Sequence, residues 1–403
     1  MHVLLITQYF PPEVGAAASR WGDYTEILVK KGYKVTVLCE TPNYPNGILY
    51  QGYKNRWYKK EKINQKLTVI RSYASANDRK SKLKKIIHYL TFMISGIINV
   101  NKIRGYDFVI VSSPPLFTGM IGVFLQKFKS IPFWLDIRDL WPDSAIALRQ
   151  MNKGLFYYFG KKMEFSIYNA AKGFIFPVPG FKKYLNEKFK SISYKPKFNL
   201  LNGVSNRFIL MNKNIKIKQD ERFTVLYSGN IGLAQGLDTI VEAGKLLDKY
   251  PIDFRLIGNG VMRNELENLV RKNEQKNIFF HDPMSRDQLV KWIKRASVCL
   301  VPLKNNSFFY SAFPSKMFEY MSCARPVIAG IKGEAADIVN DSESGTIVKA
   351  EDAISLSKAI KDYYQNKDKC LKHGTNGMTY VTKYLKKEEL IATLLNSIQK
   401  VGF

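Results

Sequence analysis

The feature that most constrains the fold of this chain is an alternation of short apolar strands and amphipathic helices, which runs through the first half and starts again in the second. Strands that alternate with helices favour parallel sheets. The strands predicted in the first half lie at residues 3–7, 35–39, 108–111, 133–137 and 173–176, with a helix over 16–31. Those of the second half lie at 224–228, 254–257, 278–280, 298–301, 327–329 and 345–348. The pattern predicts an α/β protein with two Rossmann-like domains.

The length of 403 residues also favours two domains, since one hydrophobic core rarely serves so long a chain. The join is predicted between residues 195 and 220, where Lys195-Pro196 and Asn202-Gly203 are turn signals. We therefore divide the chain into 1–200, 201–382 and a terminal amphipathic segment, 383–403. Ligands of open α/β sheets bind at the carboxyl ends of the strands, which makes a cleft between the two domains the expected active site.

The charge balance implies an anionic partner. The chain carries 62 Lys and Arg against 34 Asp and Glu, a net charge of +28. Residues 51–90 hold twelve of these cations and run into an apolar segment, 86–98. This arrangement suits an anionic bilayer surface, and a core helix behind a solvated loop fits it equally well. Nucleic acid is the weaker alternative, because the sequence contains no recognised nucleic-acid-binding module.

Several classes are disfavoured by what the sequence lacks. Segment 86–98 is too short and too interrupted to span a membrane, and the N-terminus has no signal-peptide pattern, so a cytoplasmic location is expected. The four cysteines form no C-x-x-C pair and the four histidines have no zinc-binding spacing. A G-x-S-x-G elbow and the G-x-G-x-x-G dinucleotide fingerprint after the first strand are both missing. Zinc hydrolases, serine hydrolases and nicotinamide-dependent dehydrogenases are therefore unfavoured.

The most informative chemical pattern is a short predicted helix that begins at Pro314 and Ser315. Lys316 and Glu319 lie three residues apart on it and therefore share a face. A lysine at a helix N-terminus attracts phosphate, and a carboxylate one turn later can accept hydrogen bonds from vicinal hydroxyls. That pair would suit the diphosphate and ribose of a nucleotide-sugar. An ordinary surface ion pair is the alternative, and by itself the more common one.

This segment, Pro-Ser-Lys-x-x-Glu-Tyr followed by Ala-x-Pro-Val, resembles the signature of the family-four retaining glycosyltransferases of GT-B fold. Further segments agree with the resemblance in the family's order and span nearly the whole chain. The likeness is greatest to the branch that builds bacterial O-antigens and capsules, including N-acetyl-fucosaminyl transferases. The further segments are Gln8-Tyr-Phe-Pro-Pro-Glu-Val-Gly-Ala-Ala-Ala-Ser-Arg20, Asp136-Ile-Arg-Asp-Leu-Trp-Pro-Asp143, Tyr227-Ser-Gly-Asn-Ile-Gly-Leu-Ala-Gln-Gly-Leu-Asp238 and Leu256-Ile-Gly-Asn-Gly260.

The resemblance implies a GT-B fold, in which two Rossmann-like domains face each other across a cleft, and a terminal helix that crosses back to the first domain. It implies transfer with retention of configuration from a nucleotide-sugar, most simply a UDP-sugar. No two aspartates are separated by one residue, so the D-x-D metal motif of GT-A enzymes is missing and metal independence is expected, with no cofactor beyond the substrate.

On the donor side, the turn Gly229-Asn230-Ile231-Gly232 follows a predicted strand, where its amides could approach a phosphate or simply form a tight turn. Relatives commonly carry Arg and Lys at the positions of Asn230 and Gln235, so Lys316 and Arg263 are expected to compensate. The family's first glutamate falls on Ser311, which suggests a donor with fewer hydroxyls, such as a deoxy sugar. The predicted donor residues are Gly15, Gly229, Asn230, Gly232, Gln235, Arg263, Ser311, Lys316 and Glu319.

On the acceptor side, Arg20 follows the Gly15 loop by about one helical turn, and it is predicted to contact the acceptor. Asp136 and Arg138, at a strand end, are predicted to do the same. Many relatives place His-Asp at Arg138 and Asp139; arginine cannot act as a base at neutral pH, which leaves Asp139 as the candidate base. The predicted catalytic residues are Asp139, Lys316 and Glu319. Alternatively, Arg20 is a solvated helix residue and the strand-end charges form a structural cluster around Trp141.

The sequence thus predicts a glycosyltransferase that moves a sugar, with N-acetyl-L-fucosamine as a candidate, from a UDP-sugar to a lipid-linked polyprenyl diphosphate saccharide in O-antigen or capsule biosynthesis. It would act in the cytoplasm, peripherally on the anionic inner face of the membrane. The alternative function is a nucleotide-sugar-binding scaffold that has lost catalysis, which the departures at Asn230, Gln235 and Ser311 favour.

Overall fold

The computed structural model describes residues 1–78, 81–147, 151–214, 222–306 and 313–402. Its contacts divide the chain into two compact units. Unit 1 comprises Met1–Leu201 together with Glu388–Phe403, and unit 2 comprises Asn202–Lys387.

Unit 1 is built on an eight-stranded sheet with the order β3-β4-β2-β1-β5-β6-β7-β8. Neighbouring strands run parallel, as the alternation predicts, except that β3 pairs antiparallel with β4. The strands are β1 (His2–Ile6), β2 (Lys34–Glu40), β3 (Tyr58–Lys62), β4 (Leu67–Ser72), β5 (Phe108–Ser113), β6 (Trp134–Ile137), β7 (Gly173–Phe176) and β8 (Lys197–Asn199).

Helices cover both faces of this sheet. Trp134 lies in the same core as the buried side of the first helix, whereas the adjacent Phe133 packs against Gly122 of the third, on the other face. The third helix contacts the second and the fifth, so these three form one layer. The helices are α1 (Ala16–Lys30), α2 (Lys82–Val100), α3 (Leu116–Lys129), α4 (Asp143–Ala147), α5 (Leu155–Ala170) and α6 (Gly180–Lys188), followed by a 3₁₀ turn (Lys190–Ile192).

Unit 2 repeats the plan with a six-stranded, fully parallel sheet of order β11-β10-β9-β12-β13-β14. Its strands are β9 (Phe223–Ser228), β10 (Ile252–Ile257), β11 (Ile278–His281), β12 (Val298–Pro302), β13 (Val327–Gly330) and β14 (Gly345–Ile347). Its helices are α7 (Asn206–Asn214), α8 (Asp238–Leu246), α9 (Arg263–Lys272), α10 (Arg286–Arg295), α11 (Ser315–Ser322), α12 (Glu334–Asp341), α13 (Ala353–Gln365) and α14 (Lys367–Tyr384).

The last helix, α15 (Lys387–Val401), follows unit 2 in sequence but belongs to the core of unit 1. Ile391, Leu394, Leu395 and Ile398 are at most 4% exposed and pack with Trp21 and Tyr24 of α1. One stripe of apolar residues at helical spacing is thereby removed from water.

Strand order fixes where ligands can bind. In unit 1, β1 lies between β2 and β5, and in unit 2, β9 lies between β10 and β12. The order of strands reverses at these two points, and the carboxyl ends of strands at such a reversal form a crevice. Within the described ranges, no helix combines the length and the apolarity needed to cross a bilayer.

Candidate functional site

The carboxyl end of β9 is fastened to helix α11. The fully buried Tyr320 hydroxyl accepts a hydrogen bond from the Ser228 amide at 2.8 Å and lies 2.9 Å from the Ser228 hydroxyl. Met317, Phe318 and Met321 bury the rest of that face of the helix. The N-terminal turn of α11, which carries Lys316, is therefore held beside the strand reversal of unit 2.

Lys316 is partnered by neutral groups. Its Nζ donates to the Tyr227 hydroxyl at 2.9 Å and lies 4.0 Å from the centroid of the Tyr227 ring. Tyr227 is fully buried and donates in turn to the Asn230 carbonyl at 2.6 Å. Burial lowers the pKa of Lys316 to about 7, although Glu319 acts in the opposite direction. An anion that entered the site would favour the charged form of this amine.

Two glycines are required where the strand ends meet. Gly229 has a φ of 137°, and a Cβ there would lie 2.6 Å from Lys316 Nζ. Gly258, with a φ of 146°, follows β10, and a Cβ on it would overlap the Gly229 carbonyl oxygen. Only glycine permits both this backbone conformation and this close approach. The Gly229 turn is therefore more than a connection, because a side chain here would displace the lysine.

In the predicted donor turn, residues 229–232, some backbone groups are accessible and one amide is already hydrogen-bonded to a side chain of the same loop. Gly229 and Asn230 are exposed, so the backbone at the end of β9 is accessible. The Gly232 amide, however, donates to the Gln235 side-chain oxygen at 3.2 Å. The turn therefore presents an ordered backbone edge beside Lys316, and Gln235 acts as its support.

Glu319 lies one turn beyond Lys316 and has a cationic neighbour that sequence reasoning missed. Arg286, at the start of α10, places a guanidinium nitrogen 3.7 Å from Glu319 Oε1. Ser285 and Gln288 form a capping box that fixes the beginning of α10. That Ser-x-x-Gln spacing was the available signal for a helix start, but nothing in it revealed that Arg286 would meet Glu319.

Arg263 does not present a free guanidinium. It forms ion pairs with Glu267 at 2.8 Å and with Asp282 at 2.6 Å, and it donates to the Gly258 carbonyl at 3.0 Å. Arg263 holds the loop after β10 through these contacts, and its part in binding the diphosphate stays a prediction. Ser311, also predicted for the donor site, lies outside the described residues.

In unit 1, the predicted acceptor residues Arg20 and Asp136 bind each other. Their nearest atoms are 3.0 Å apart, with side chains 4% and 0% exposed. Asp136 also accepts from Trp21 Nε1 at 2.9 Å and from Ser112 Oγ at 2.8 Å. A ligand would have to displace these partners. This geometry favours the alternative of a structural cluster, which holds Trp21 rather than Trp141, and acceptor contact by Arg20 and Asp136 stays a prediction.

Arg138 and Asp139 follow this cluster. Arg138 Nε donates to Ser112 Oγ at 2.9 Å and its guanidinium also donates to the Pro114 carbonyl, so it braces the ends of β5 and β6. Asp139 is half-buried and accepts from Ser144 Oγ at 3.1 Å. Burial raises the pKa of Asp139 above its ordinary value, and its hydrogen bonds oppose the shift. A carboxyl group with a raised pKa at a strand end is a candidate for proton transfer.

The loop that carries Gly15 is organised by Glu13, which the sequence did not single out. The Glu13 carboxylate accepts from the backbone amides of Asn43 and Tyr44, both at 2.9 Å, and of Phe10 at 3.2 Å. Burial and the nearby Glu40 raise the pKa of Glu13 to about 7. Gly15 follows at the start of α1 beside the Tyr44 ring. Glu13 thus ties two loops of unit 1 together.

No group of three or more His, Cys, Asp or Glu side chains is arranged to hold a metal ion in the part of the chain that the structure describes. The candidate donor site of unit 2 comprises backbone amides, Lys316 and the Glu319–Arg286 pair. The candidate of unit 1 is the half-buried Asp139.

The chain is similar to known glycosyltransferases in sequence and in fold. Residues 211–380 match the family model of the glycosyl transferases group 1. An Escherichia coli K12 protein named as a colanic acid biosynthesis glycosyl transferase, WcaI, is 23% identical over 99% of this chain and 100% of its own length.

Two solved structures cover nearly the whole chain. Sucrose-phosphate synthase from Thermosynechococcus elongatus has a TM-score of 0.78 at 17% identity, over 99% of this chain and 98% of its own. HepE from Anabaena, solved with UDP and glucose, has a TM-score of 0.68 at 12% identity, over 99% and 100%. The predicted fold class, two Rossmann-like parallel-sheet domains of GT-B type, is confirmed. Residues 211–380 are thus similar to the group 1 glycosyltransferases, whereas the N-acetyl-fucosaminyl branch stays a prediction.

Proposed function

We propose that this chain is a retaining glycosyltransferase that transfers a sugar from a UDP-sugar to a lipid-linked saccharide during bacterial capsule or O-antigen synthesis. The observation that carries the proposal is the placement of Lys316 on neutral partners, against a glycine-only strand end at the strand reversal of unit 2. Such a cation gains a strong partner when a diphosphate arrives. The relative named for colanic acid biosynthesis supports the polysaccharide assignment.

Unit 2 takes the donor in this proposal. Lys316 and the exposed backbone edge at Gly229 and Asn230 bind the diphosphate, while Glu319, held near Arg286, accepts hydrogen bonds from the ribose hydroxyls. As the bond to the sugar breaks, negative charge grows on the leaving UDP. Lys316 stabilises that charge more in the transition state than in the ground state, which is what lowers the barrier.

Unit 1 takes the acceptor. Asp139 orients the acceptor hydroxyl and receives its proton, alone or together with the departing phosphate oxygen. The buried Arg20–Asp136 pair and Arg138 keep the strand ends beneath it in place. Transfer without a metal ion is part of the proposal, and full activity in excess EDTA is its direct test.

The deoxy sugar N-acetyl-L-fucosamine is our proposed donor sugar. It is supported by the serine that stands where relatives carry the first of two glutamates, since a donor with fewer hydroxyls needs fewer acceptors. UDP-N-acetyl-L-fucosamine should stabilise the protein against heat more than UDP-N-acetylglucosamine does. Equal stabilisation by the two sugars would remove this choice and leave the nucleotide assignment intact.

The deciding experiment measures UDP release with and without a lipid-linked acceptor, alongside UDP binding by calorimetry. We expect UDP binding that weakens roughly tenfold in Glu319→Ala, together with release that depends on acceptor. Glu265→Ala, on the first turn of α9, is the matched control and should bind normally. UDP binding without acceptor-dependent release, across a panel of acceptors, would favour the nucleotide-sugar-binding scaffold. Absence of uridine nucleotide binding would overturn both.

A further inference from the structure

Helix α2 buries three polar side chains beside Phe92 and Val100, and keeps a row of aliphatic side chains at its surface. His88, Ser95 and Asn99 are at most 1% exposed. Each is hydrogen-bonded inside unit 1: His88 to the Ser75 carbonyl at 2.8 Å, Ser95 to the Tyr73 carbonyl at 2.6 Å and Asn99 to Ser72 Oγ at 2.9 Å. Most of their polar atoms thus have partners, although the Asn99 side-chain oxygen has none among the described residues. These hydrogen bonds fix the rotation of α2 about its own axis and therefore determine which of its residues face the solvent.

The outer side of α2 is aliphatic. Leu83, Ile87, Leu90, Ile94 and Ile98 are 66%, 41%, 38%, 42% and 47% exposed. Their spacings of three and four residues place them in one stripe, roughly 22 Å long at 1.5 Å per residue. Single exposed apolar residues are ordinary on soluble proteins, but a continuous stripe marks an interaction surface.

The stripe extends across the layer formed by α2, α3 and α5. Phe128 at the end of α3 is 74% exposed. On α5, the exposed apolar side chains are Leu155, Phe156, Tyr158, Phe159 and Phe165. Because α3 packs against both α2 and α5, these residues belong to one side of unit 1. We call this surface the apolar layer.

Every exposed ionised side chain on the three helices is a cation. Lys82, Lys84, Lys85, Lys127, Lys129 and Lys162 are exposed, whereas the only acidic residue in α2, α3 and α5, Glu164, is fully buried. Apolar side chains set among lysines, with aromatic residues at one end, match the interface of a bilayer with anionic head groups. A second copy of the chain is a poor occupant, since two such layers facing each other would bring their lysines together.

We propose that the apolar layer of α2, α3 and α5 docks unit 1 onto an anionic membrane, with the stripe of α2 inserted at the level of the head groups and α5 as a second, aromatic contact. The inference deepens the proposed function, because a lipid-linked acceptor is presented at such a surface. It rests on exposure and charge within unit 1, independently of any nucleotide.

The test is co-flotation with vesicles of phosphatidylcholine alone or mixed with phosphatidylglycerol. We expect binding only to the mixed vesicles, reduced by high salt, and weakened at least tenfold in Ile87→Gln/Ile94→Gln, since each exposed isoleucine contributes apolar burial on insertion. The matched control, Ile354→Gln/Leu371→Gln, changes two apolar residues of unit 2 that are 60% and 65% exposed and should bind like the wild type.

Equal flotation of both double variants would overturn the proposal, as would binding that ignores lipid charge. Dimerisation in light scattering that Ile87→Gln/Ile94→Gln abolishes would assign the layer to a second copy instead. The double variant should still be stabilised by UDP against heat, which also shows that it is folded. If UDP does not stabilise the wild type against heat, the proposed function is wrong, whereas the membrane-binding result is unaffected.

A second inference comes from the partners of Lys316. Removal of the Tyr227 hydroxyl would leave Lys316 Nζ with no described hydrogen-bond partner. It would also remove the hydrogen bond that the Asn230 carbonyl accepts. The charged groups around this pair are Glu319 on the same helix and Arg286, which faces Glu319 from α10. We infer that Tyr227 is a positioning residue, which holds the Lys316 amine and the Asn230 turn in register for the diphosphate.

Tyr227→Phe keeps the ring and removes only the hydroxyl. UDP affinity of the wild type should fall as pH rises from 6.5 to 9, because burial already lowers the pKa of Lys316 to about 7. In Tyr227→Phe that fall should begin at lower pH, since the charged amine has lost an acceptor, and UDP should bind roughly fivefold more weakly at pH 7. A lower melting temperature with an unshifted pH profile would mean that the hydroxyl is only structural.

Discussion

The charged side chains at the strand ends differ in their partners between the two units: an ion pair in unit 1 and neutral groups in unit 2. In unit 1, Asp136 is fully buried and meets Arg20, Trp21 and Ser112, so its charge is already compensated. In unit 2, Lys316 sits against the neutral Tyr227 hydroxyl and ring. A compensated charge holds a structure together, whereas a cation on neutral partners gains most from a ligand. The comparison supports the proposal that unit 2 binds the anion, and it favours a structural role for the aspartate cluster of unit 1.

Asp139 is the exception within unit 1, and its replacement should have the largest effect. It accepts from Ser144 and carries a pKa raised by burial, so it can exchange a proton. In Asp139→Asn we expect acceptor-dependent UDP release to slow by about 10²–10⁴-fold, the usual contribution of a general base. UDP affinity, measured by calorimetry, should not change. If Asp139→Asn turns over as fast as the wild type, Asp139 is not the base, and the leaving phosphate alone accepts the proton.

Breaking the buried pair should destabilise unit 1. Asp136→Ala removes the ion-pair partner that the buried Arg20 has at 3.0 Å, which costs about 3–5 kcal/mol of unfolding free energy. Urea unfolding followed by circular dichroism measures the loss. Arg20→Met/Asp136→Leu, which removes both charges, should recover much of the stability. Similar curves for Asp136→Ala and the wild type would mean that the cluster contributes little and that Asp136 is available to an acceptor after all.

The reverse substitution in unit 2 should cost binding rather than stability. Lys316→Ala removes a half-buried amine whose charge is disfavoured by burial, so the melting temperature should hardly change. UDP should bind roughly 10–100-fold more weakly, the effect of losing a hydrogen bond to a charged group. Calorimetry and a melting curve on one sample separate the two effects. Lys304→Ala, an exposed lysine after β12, is the matched control.

The smallest predicted effect concerns pH. Burial and Glu40 raise the pKa of Glu13 to about 7, so the folded state holds this proton more tightly than the unfolded chain does. Its contribution to stability is therefore complete below about pH 4.5 and is lost as pH rises through about 7. The difference in unfolding free energy between pH 5 and pH 8 should be smaller in Glu13→Gln than in the wild type.

Glu26→Gln on the exposed side of α1 provides the control for that experiment, because Glu26 is paired with Lys30 in solvent. Its stability curve should run parallel to that of the wild type across the same pH range. A parallel curve for Glu13→Gln as well would show that Glu13 stays ionised in the folded protein and that its three amide bonds outweigh burial.

The local sequence determined a great deal. The alternation of strand and helix patterns predicted two parallel-sheet domains, and the strand expected at 224–228 is β9, Phe223–Ser228. Lys316 and Glu319 had to share one face of α11 because their spacing is three residues. Gly229 marked the end of β9. Each of these inferences depends on periodicity or on backbone preference over a few residues, which the amino acids carry themselves.

Partners distant in the chain were decided only by the tertiary structure. Arg20 and Asp136 are 116 residues apart, and Lys316 and Tyr227 are 89 apart, so no local pattern linked either pair. The two faces of α2 show the same limit. The sequence left open whether segment 86–98 meets a bilayer or the core, and in the structure His88, Ser95 and Asn99 turn inward to hydrogen-bond with Ser75, Tyr73 and Ser72. Sequence determines which side chains share a face, and long-range hydrogen bonding decides which face is buried.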